Sequence, residues 1–534
     1  MMPMRVPHLL LLMGLLGALP ASAQRNYKRA HNTMLDDAKF LLAEGQYLEA
    51  SKIYRRLLPV DTSFIEVYYE LAQCELKLPG QEAQAVEHLR KCVAAGHVEA
   101  AYQLALAEHR RSRFDEELAL LDRYKAMTGR LVDDAEVDRR MAMARTAREM
   151  VTQPVDVRIR NLGALVNSPE ADYAPVLNAE GTMLYFTSRR EGSTGSQHDP
   201  SGRAYEDIYH ARRVDDQWTN AVNVGLPLNS YGHDATVGLS ADGGTMIIYR
   251  TIEGMEGGDL YETRRMGGRW QNPVLMTERI NSTGHEPSAT LSPDGNEIYF
   301  TSDRPGGFGG RDLYRIRRLP NGEWSLPLNL GPAVNTPFDE DAPFLHSDGI
   351  TLFFSSNGHR TMGGYDIFKA VQADRDNNAW SEPENMGFPL NTVNDDIYFC
   401  LSEDGRTGVF SSERPEGLGG QDIYAVEFGT SRLEQVVVCG LVTDASDEPV
   451  RARITLEEQE GGAEAGIYNS HPVTGRYVLV VRPGQAYRMK VEAPGFETCT
   501  SVLRMRGGAG ELGEAGLDIQ LTRSEHTARN QGRP

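Results

Sequence analysis

The sequence predicts a multidomain chain: α-helical repeats, then a five-bladed β-propeller, then a small β-sandwich. Three observations lead there. An aspartate before an aliphatic–aromatic pair recurs at Asp207, Asp259, Asp312, Asp366 and Asp422, at intervals of 52 to 56 residues. A stretch rich in Ala, Leu, Glu and Arg, without strand-type alternation, precedes these copies. Short alternating segments with Gly and Pro turns follow them.

The helical part is read over residues 26–150. Apolar residues recur at helical spacing, as in Leu35, Ala38, Leu42 and then Ala50, Ile53, Tyr54, Leu57, Leu58. A unit of about 34 residues follows from Ala50 recurring as Ala85 and Tyr68 as Tyr102. Small residues at such positions let neighbouring helices approach closely.

Each copy in the middle region, 155–428, carries a tight turn in which an acid precedes a glycine. The glycines are Gly181, Gly243, Gly295, Gly349 and Gly405. Glycine supplies the left-handed conformation such a turn needs. All four tryptophans, Trp218, Trp270, Trp324 and Trp380, stand at matching offsets after the recurring aspartates. Four short strands per copy is the grammar of a propeller blade. The fifth copy lacks the closing strand, and residues 155–163 carry that ending ahead of the first copy. They are expected to complete the last blade and remove an exposed edge.

Nine residues before each turn glycine stands a carboxylate: Asp172, Asp234, Glu286, Glu340 and Asp396. This position opens the innermost strand, so five acids are expected to ring one mouth of the central channel. They are the candidate binding residues, for a cation such as calcium or a basic segment. The alternative is that each acid caps backbone amides at its blade junction. No resident cofactor and no metal ligand set is expected beyond that cation. Arg189, Arg304 and Arg414 follow the second strand and are expected in salt bridges. The loop from Arg190 to Ala204, with His198 and Asp199, is an addition to the first copy. No catalytic residues are predicted: G-x-S-x-G, H-E-x-x-H and a phosphate loop are all missing.

Residues 435–523 read as the sandwich, with strands at Val436, Pro449, Gly475 and Pro483, and the tail 524–534 as disordered. The net charge of −20 over 534 residues excludes a phosphate-backbone partner, which needs a basic stripe. Arg5, the apolar run Leu9 to Leu19 and Ala21-Ser22-Ala23 predict a signal peptide over 1–23 and a periplasmic mature chain with no membrane span. No Cys follows that run, so a lipid anchor is not expected. The five cysteines fit neither a zinc nor a CxxC pattern; Cys74 with Cys92 and Cys439 with Cys499 are the pairings open to an oxidising compartment, against separate buried thiols.

Three resemblances rest on these residues. Gly45-x-Tyr47-x-x-Ala50-x-x-x-Tyr54-x-x-Leu57 resembles the tetratricopeptide repeat (TPR). The Ser-Pro-Asp-Gly, Tyr-Phe-Thr-Ser-x-Arg and Gly-Gly-x-Asp-[Ile/Leu]-Tyr elements resemble the TolB-like, WD40-like propeller. The order G-x-V-x-D…P-V-x-A-x-I…G-x-Y…P-G-x-x-Y resembles the carboxypeptidase regulatory-like domain. Together they resemble a family of Bacteroidota envelope proteins, the PorE-type proteins of type IX secretion among them, here without the OmpA-type domain. The resemblance implies a non-catalytic periplasmic scaffold, not an enzyme, that binds envelope or secretion-system proteins through the helical groove and the propeller face. Its alternatives are a binder of glycan or peptidoglycan fragments and, further off, a propeller hydrolase.

Overall fold

In the computed structural model, residues 21–58, 65–199, 202–251, 257–375, 377–403, 405–429, 436–459, 464–472, 474–481, 486–504 and 517–524 are described. Most of the expected signal peptide, the turn acid Asp404 and nearly all of the tail lie outside them. Among the described residues no helix is long and apolar enough to cross a membrane. The chain divides into two compact units, Met1–Arg148 and Glu149–Pro534.

The first unit is helical: Ala21–Ala43, Tyr47–Leu57, Ile65–Glu75, Glu82–Ala94, Val98–Arg110, Phe114–Lys125 and Asp134–Thr152, whose last residues pass into the second unit. Successive helices from the first to the sixth pack on one another. The small residues predicted for close crossings are fully buried, with Ala38, Ala50, Ala72, Ala85 and Ala101 at 0% exposure. Buried acids in these helices are paired. Glu108 meets Arg90 at 2.7 Å, and Glu75 meets His88 at 2.8 Å.

The second unit is built from antiparallel sheets and is propeller-like. Five sheets follow the five sequence copies. The first runs Asp172–Leu177, Met183–Ser188, Asp207–Val214 and Gln217–Trp218, with Val222–Asn223 also pairing its third strand. The innermost strands of sheets two to five are Asp234–Leu239, Ala289–Leu291, Glu340–Leu345 and Asp396–Leu401. These strands contact one another in cyclic order, the fifth returning to the first. Val157–Asn161 pairs with Asp422–Phe428 as the outermost strand of the fifth sheet, from Val157 opposite Phe428 to Asn161 opposite Tyr424. The five turn glycines have φ between 64° and 72°, the left-handed region a Cβ would strain.

Aromatic and aliphatic side chains of adjacent sheets interdigitate. Phe354, Phe368 and Trp380 of the fourth sheet meet Tyr299 and Leu313 of the third. Two further sheets, Arg476–Val481/Val436–Asp444/Ile519–Leu521 and Glu464–Asn469/Arg453–Glu458/Ala486–Glu492/Cys499–Arg504, share a separate core of Ile454, Leu456, Tyr477, Leu479 and Val491. Cys74, Cys92, Cys400 and Cys499 are free thiols. The Cys74–Cys92 pairing is therefore corrected to two separate buried thiols, and burial pushes Cys92 up to about 11. The Cys439–Cys499 pairing involves Cys439, whose side chain lies outside the described ones.

Candidate functional site

The five recurring carboxylates do not line an open mouth. Asp172, Asp234, Glu340 and Asp396 are at 0% exposure and Glu286 at 2%. Each stands at a junction between sheets and accepts hydrogen bonds from a Ser or Thr four residues earlier. Ser168 gives Asp172 its backbone N–H at 2.5 Å and its Oγ at 2.8 Å, and Thr392 does the same for Asp396 at 2.6 and 2.8 Å. An arginine closes four of the five: Arg190 on Asp172 at 2.6 Å, Arg250 on Asp234 at 2.5 Å, Arg304 on Glu286 at 3.3 Å and Arg414 on Asp396 at 3.2 Å.

Each of these arginines also donates to a backbone carbonyl, for example Arg414 to Leu390 at 2.9 Å, and lies over aromatic rings of its own sheet. In the first sheet this role falls to Arg190, while Arg189 forms salt bridges, as expected, with Asp199 and Glu206. Among the described residues no group of three or more His, Cys, Asp or Glu is placed to hold a metal ion.

The fourth sheet departs from the pattern. Gly358 stands where the first, third and fifth sheets carry arginine, and a Cβ there would clash with Thr336 Oγ1. His359 Nε2 takes over the carbonyl contact, 2.7 Å from Val334 O. Glu340 is left with Thr336 and Ser356 as donors and no arginine. Burial, with the Asp312 charge added, pushes it up to about 7.

Chemistry lies one residue away from the ring, at positions that differ between copies. The residue before each recurring aspartate is Glu206, Gly258, Arg311, Tyr365 and Gln421 in turn. The residue after each ring acid is Tyr173, Ala235, Pro287, Asp341 and Ile397. Two clusters form from them. Glu206 accepts Tyr173 Oη at 2.7 Å and Arg189 Nε at 2.9 Å, and its Oε2 lies 2.5 Å from His233 Nδ1. Burial opposes ionisation of Glu206, but the His233 and Tyr173 hydrogen bonds and the Arg189 charge overcome it and hold the carboxyl at about 2. The His233 ring stacks on Tyr205 at 3.9 Å, and Arg189 Nη1 also reaches Asp199 at 3.0 Å, which ties the added loop to the cluster.

In the second cluster, Asp341 is buried and its Oδ2 accepts Arg311 Nη1 at 2.5 Å. Its Oδ1 accepts the Ser288 hydroxyl and, at 2.7 Å, the Ala342 N–H. Tyr398 connects the two clusters. Its ring lies 6.1 Å from that of Tyr173, and its phenol is pushed up by burial and then by the Asp341 charge, with Glu206 adding to it.

Backbone geometry aims these residues. Ala174, Ala342 and Tyr398 occupy the same position on three innermost strands with φ of 50°, 51° and 60°. Each strand slips register there, between Tyr173 and Val176, Asp341 and Phe344, and Ile397 and Cys400. Such bulges re-aim side chains next to functional sites. The innermost strands of all five sheets line a pocket, with Val176, Val237, Thr290, Phe344 and Phe399 in its wall. Sequence reasoning missed Glu206, His233 and Asp341; the contrast between constant and variable positions of the copies was the signal that could find them.

No family model matches the chain, and no curated protein sequence matches it. Solved structures do resemble it. TolB from Acinetobacter baumannii is 14% identical with a TM-score of 0.30, over 55% of this chain and 70% of that one. A glycoside hydrolase is 10% identical with a TM-score of 0.37, over 54% and 97%. The endo-arabinase from Bacteroides thetaiotaomicron VPI-5482 is 14% identical with a TM-score of 0.33, over 50% and 97%. At these scores the likeness goes no further than a propeller-like fold. Glycoside-cleaving enzymes nonetheless recur among these structures, an α-L-arabinofuranosidase from Lactobacillus brevis included. On that finding the expectation of a non-catalytic scaffold that is not an enzyme is withdrawn.

Proposed function

We propose that the second unit is a hydrolase of the propeller type acting on a glycan, with its site at the Glu206–His233 and Asp341–Arg311 clusters. The observation that carries this reading is the Glu206–His233 dyad. A carboxylate held ionised beside Nδ1 orients the imidazole and leaves its other ring nitrogen to exchange a proton with a substrate, the arrangement a proton-transfer residue needs. His233 delivers a proton to the glycosidic oxygen as the C–O bond breaks. The Asp341 carboxylate, on another sheet, takes a proton from the water that attacks the anomeric carbon, and its charge favours the oxocarbenium-like transition state. Arg311 and Ser288 hold Asp341 in place, and Arg189 and Tyr173 hold Glu206. Tyr173, Tyr205 and Tyr398 offer faces and hydroxyls suited to a sugar ring.

The finer architecture belongs to the same reading. Cyclic contact of the innermost strands supports a closed five-bladed propeller, the separate core over 435–523 a regulatory-like sandwich, and the buried alanines of 26–150 TPR-like repeats. The leader motif over 1–23 supports export to the periplasm, where an envelope glycan is within reach.

The test is release of reducing ends from a panel of polysaccharides and aryl glycosides, arabinan and xylan among them. Hydrolysis of at least one substrate, falling about 100-fold or more in Glu206→Gln and in Asp341→Asn, is the expected result. Cleavage of none of the panel, or variants as active as the parent, overturns it.

A further inference from the structure

One seam of the second unit carries polar groups that the fold itself leaves without partners. Between the third and fourth sheets, Arg315, Gln372 and Trp380 are at 2%, 7% and 8% exposure. Arg315 Nη1, both amide atoms of Gln372 and Trp380 Nε1 are buried without a hydrogen-bond partner. A buried polar atom without a partner is destabilising, and a buried charge more so.

These groups are neighbours. Tyr299 stands opposite Arg315 in the third sheet, and its ring meets Trp380 edge-on at 6.1 Å and 86°. Gln372 stands opposite Trp380 in the fourth sheet. The seam is otherwise apolar, with Leu313, Phe354, Phe368 and Ala370 packed beside them.

The charges around Arg315 are committed elsewhere. Glu297 lies 3.8 Å from Arg315 Nη1, beyond hydrogen-bond reach, while it binds Arg375 at 2.7 Å and accepts the Tyr299 hydroxyl at 3.2 Å. Asp294 acts on Arg375. Arg315 Nη2 has only a long bond, 3.4 Å, to the Arg375 carbonyl. The equivalent of Gln372 in the first and third sheets is an arginine with its own partner: Arg213 pairs with Asp216 at 3.2 Å, and Arg318 lies over Trp324 at 4.4 Å. With the neutral glutamine in the fourth sheet, this seam holds buried donors without partners.

We infer that this seam binds a small monovalent anion, of the size and charge of chloride, held by Arg315 Nη1, Gln372 Nε2 and Trp380 Nε1. Three donors, one of them on a guanidinium, match such an ion, and an anion here ties the two sheets together. The site is separate from the Glu206 and Asp341 clusters and independent of the reaction proposed for them.

The test uses the full chain. At constant ionic strength, replacing gluconate by bromide raises the melting temperature by a few degrees, and Arg315→Met removes that dependence. Crystals soaked in bromide give an anomalous peak within hydrogen-bond distance of Trp380 Nε1. Should Arg315→Met fail to fold, Trp380→Phe, which removes one donor and keeps most of the ring, is expected to weaken the bromide effect instead. Equal melting in bromide and gluconate, or no anomalous signal at this seam, overturns the inference.

Discussion

The ring of carboxylates and the positions beside it belong to the same strands, yet they do opposite things. Asp172, Asp234, Glu286 and Asp396 each repeat one solution: a Ser or Thr cap, an arginine and burial. One residue on, the copies carry Tyr173, Ala235, Pro287, Asp341 and Ile397, with no common chemistry. What repeats in every copy answers a need that every copy has, which is joining one sheet to the next. What differs between copies is free of that need and can answer to a ligand.

The comparison is broken most severely at Asp172. Asp172→Ala leaves Arg190 buried without its carboxylate, and a loss of about 3–5 kcal/mol is expected in urea unfolding. An unchanged midpoint would mean that the ring does not join the sheets. Glu340 is expected to behave differently, having no arginine. Its folded value of about 7 lies above the ordinary 4.5. Its contribution is therefore fully present below about pH 4.5 and is lost as pH rises through 7, on the order of 3 kcal/mol in all. Glu340→Gln should flatten that dependence and leave the protein more stable than the parent at pH 8. A parent-like pH profile in the variant would refute this.

Glu206 carries the opposite sign. Held at about 2, it stabilises the fold above about pH 4.5, and that contribution fades as pH falls toward 2. Glu206→Gln should therefore lower stability at pH 7 by about 1–3 kcal/mol and narrow the gap to the parent at pH 3, measured by denaturant titration at both values. The smallest effect is expected outside both regions. The Lys369–Glu384 pair is 34% and 58% exposed, and Glu384→Ala should shift stability by less than about 0.5 kcal/mol.

Much of the fold was legible because a repeat tests itself. The turn glycines have the left-handed φ predicted for them, the Val157 strand pairs where the missing strand of the fifth copy belonged, and Ala50 and Ala85 are buried as close-packing residues should be. The ring acids were legible as a pattern, and of the two placements open to them, channel mouth or blade junction, the structure shows the junction. Spacing puts Asp172 at the start of an innermost strand, but it cannot tell whether the side chain faces the opening or the seam. Arg190 decides that from 18 residues away. Arg190, not Arg189, is the counterpart of Arg304 and Arg414, because a one-residue offset in a strand reverses the face and the motif alone does not reveal it.

The sequence by itself determined the copies, their turns and the acids that join them, since each rests on local chemistry repeated at a steady period. Only the tertiary structure decided which carboxylates meet a histidine or an arginine. Glu206 and His233 lie 27 residues apart, on the first and second sheets, and Arg311 and Asp341 lie 30 apart, on the third and fourth. Contacts across a seam depend on how neighbouring sheets settle against each other, and the bulges at Ala174, Ala342 and Tyr398 set the final aim. Neither has a period that a sequence could display.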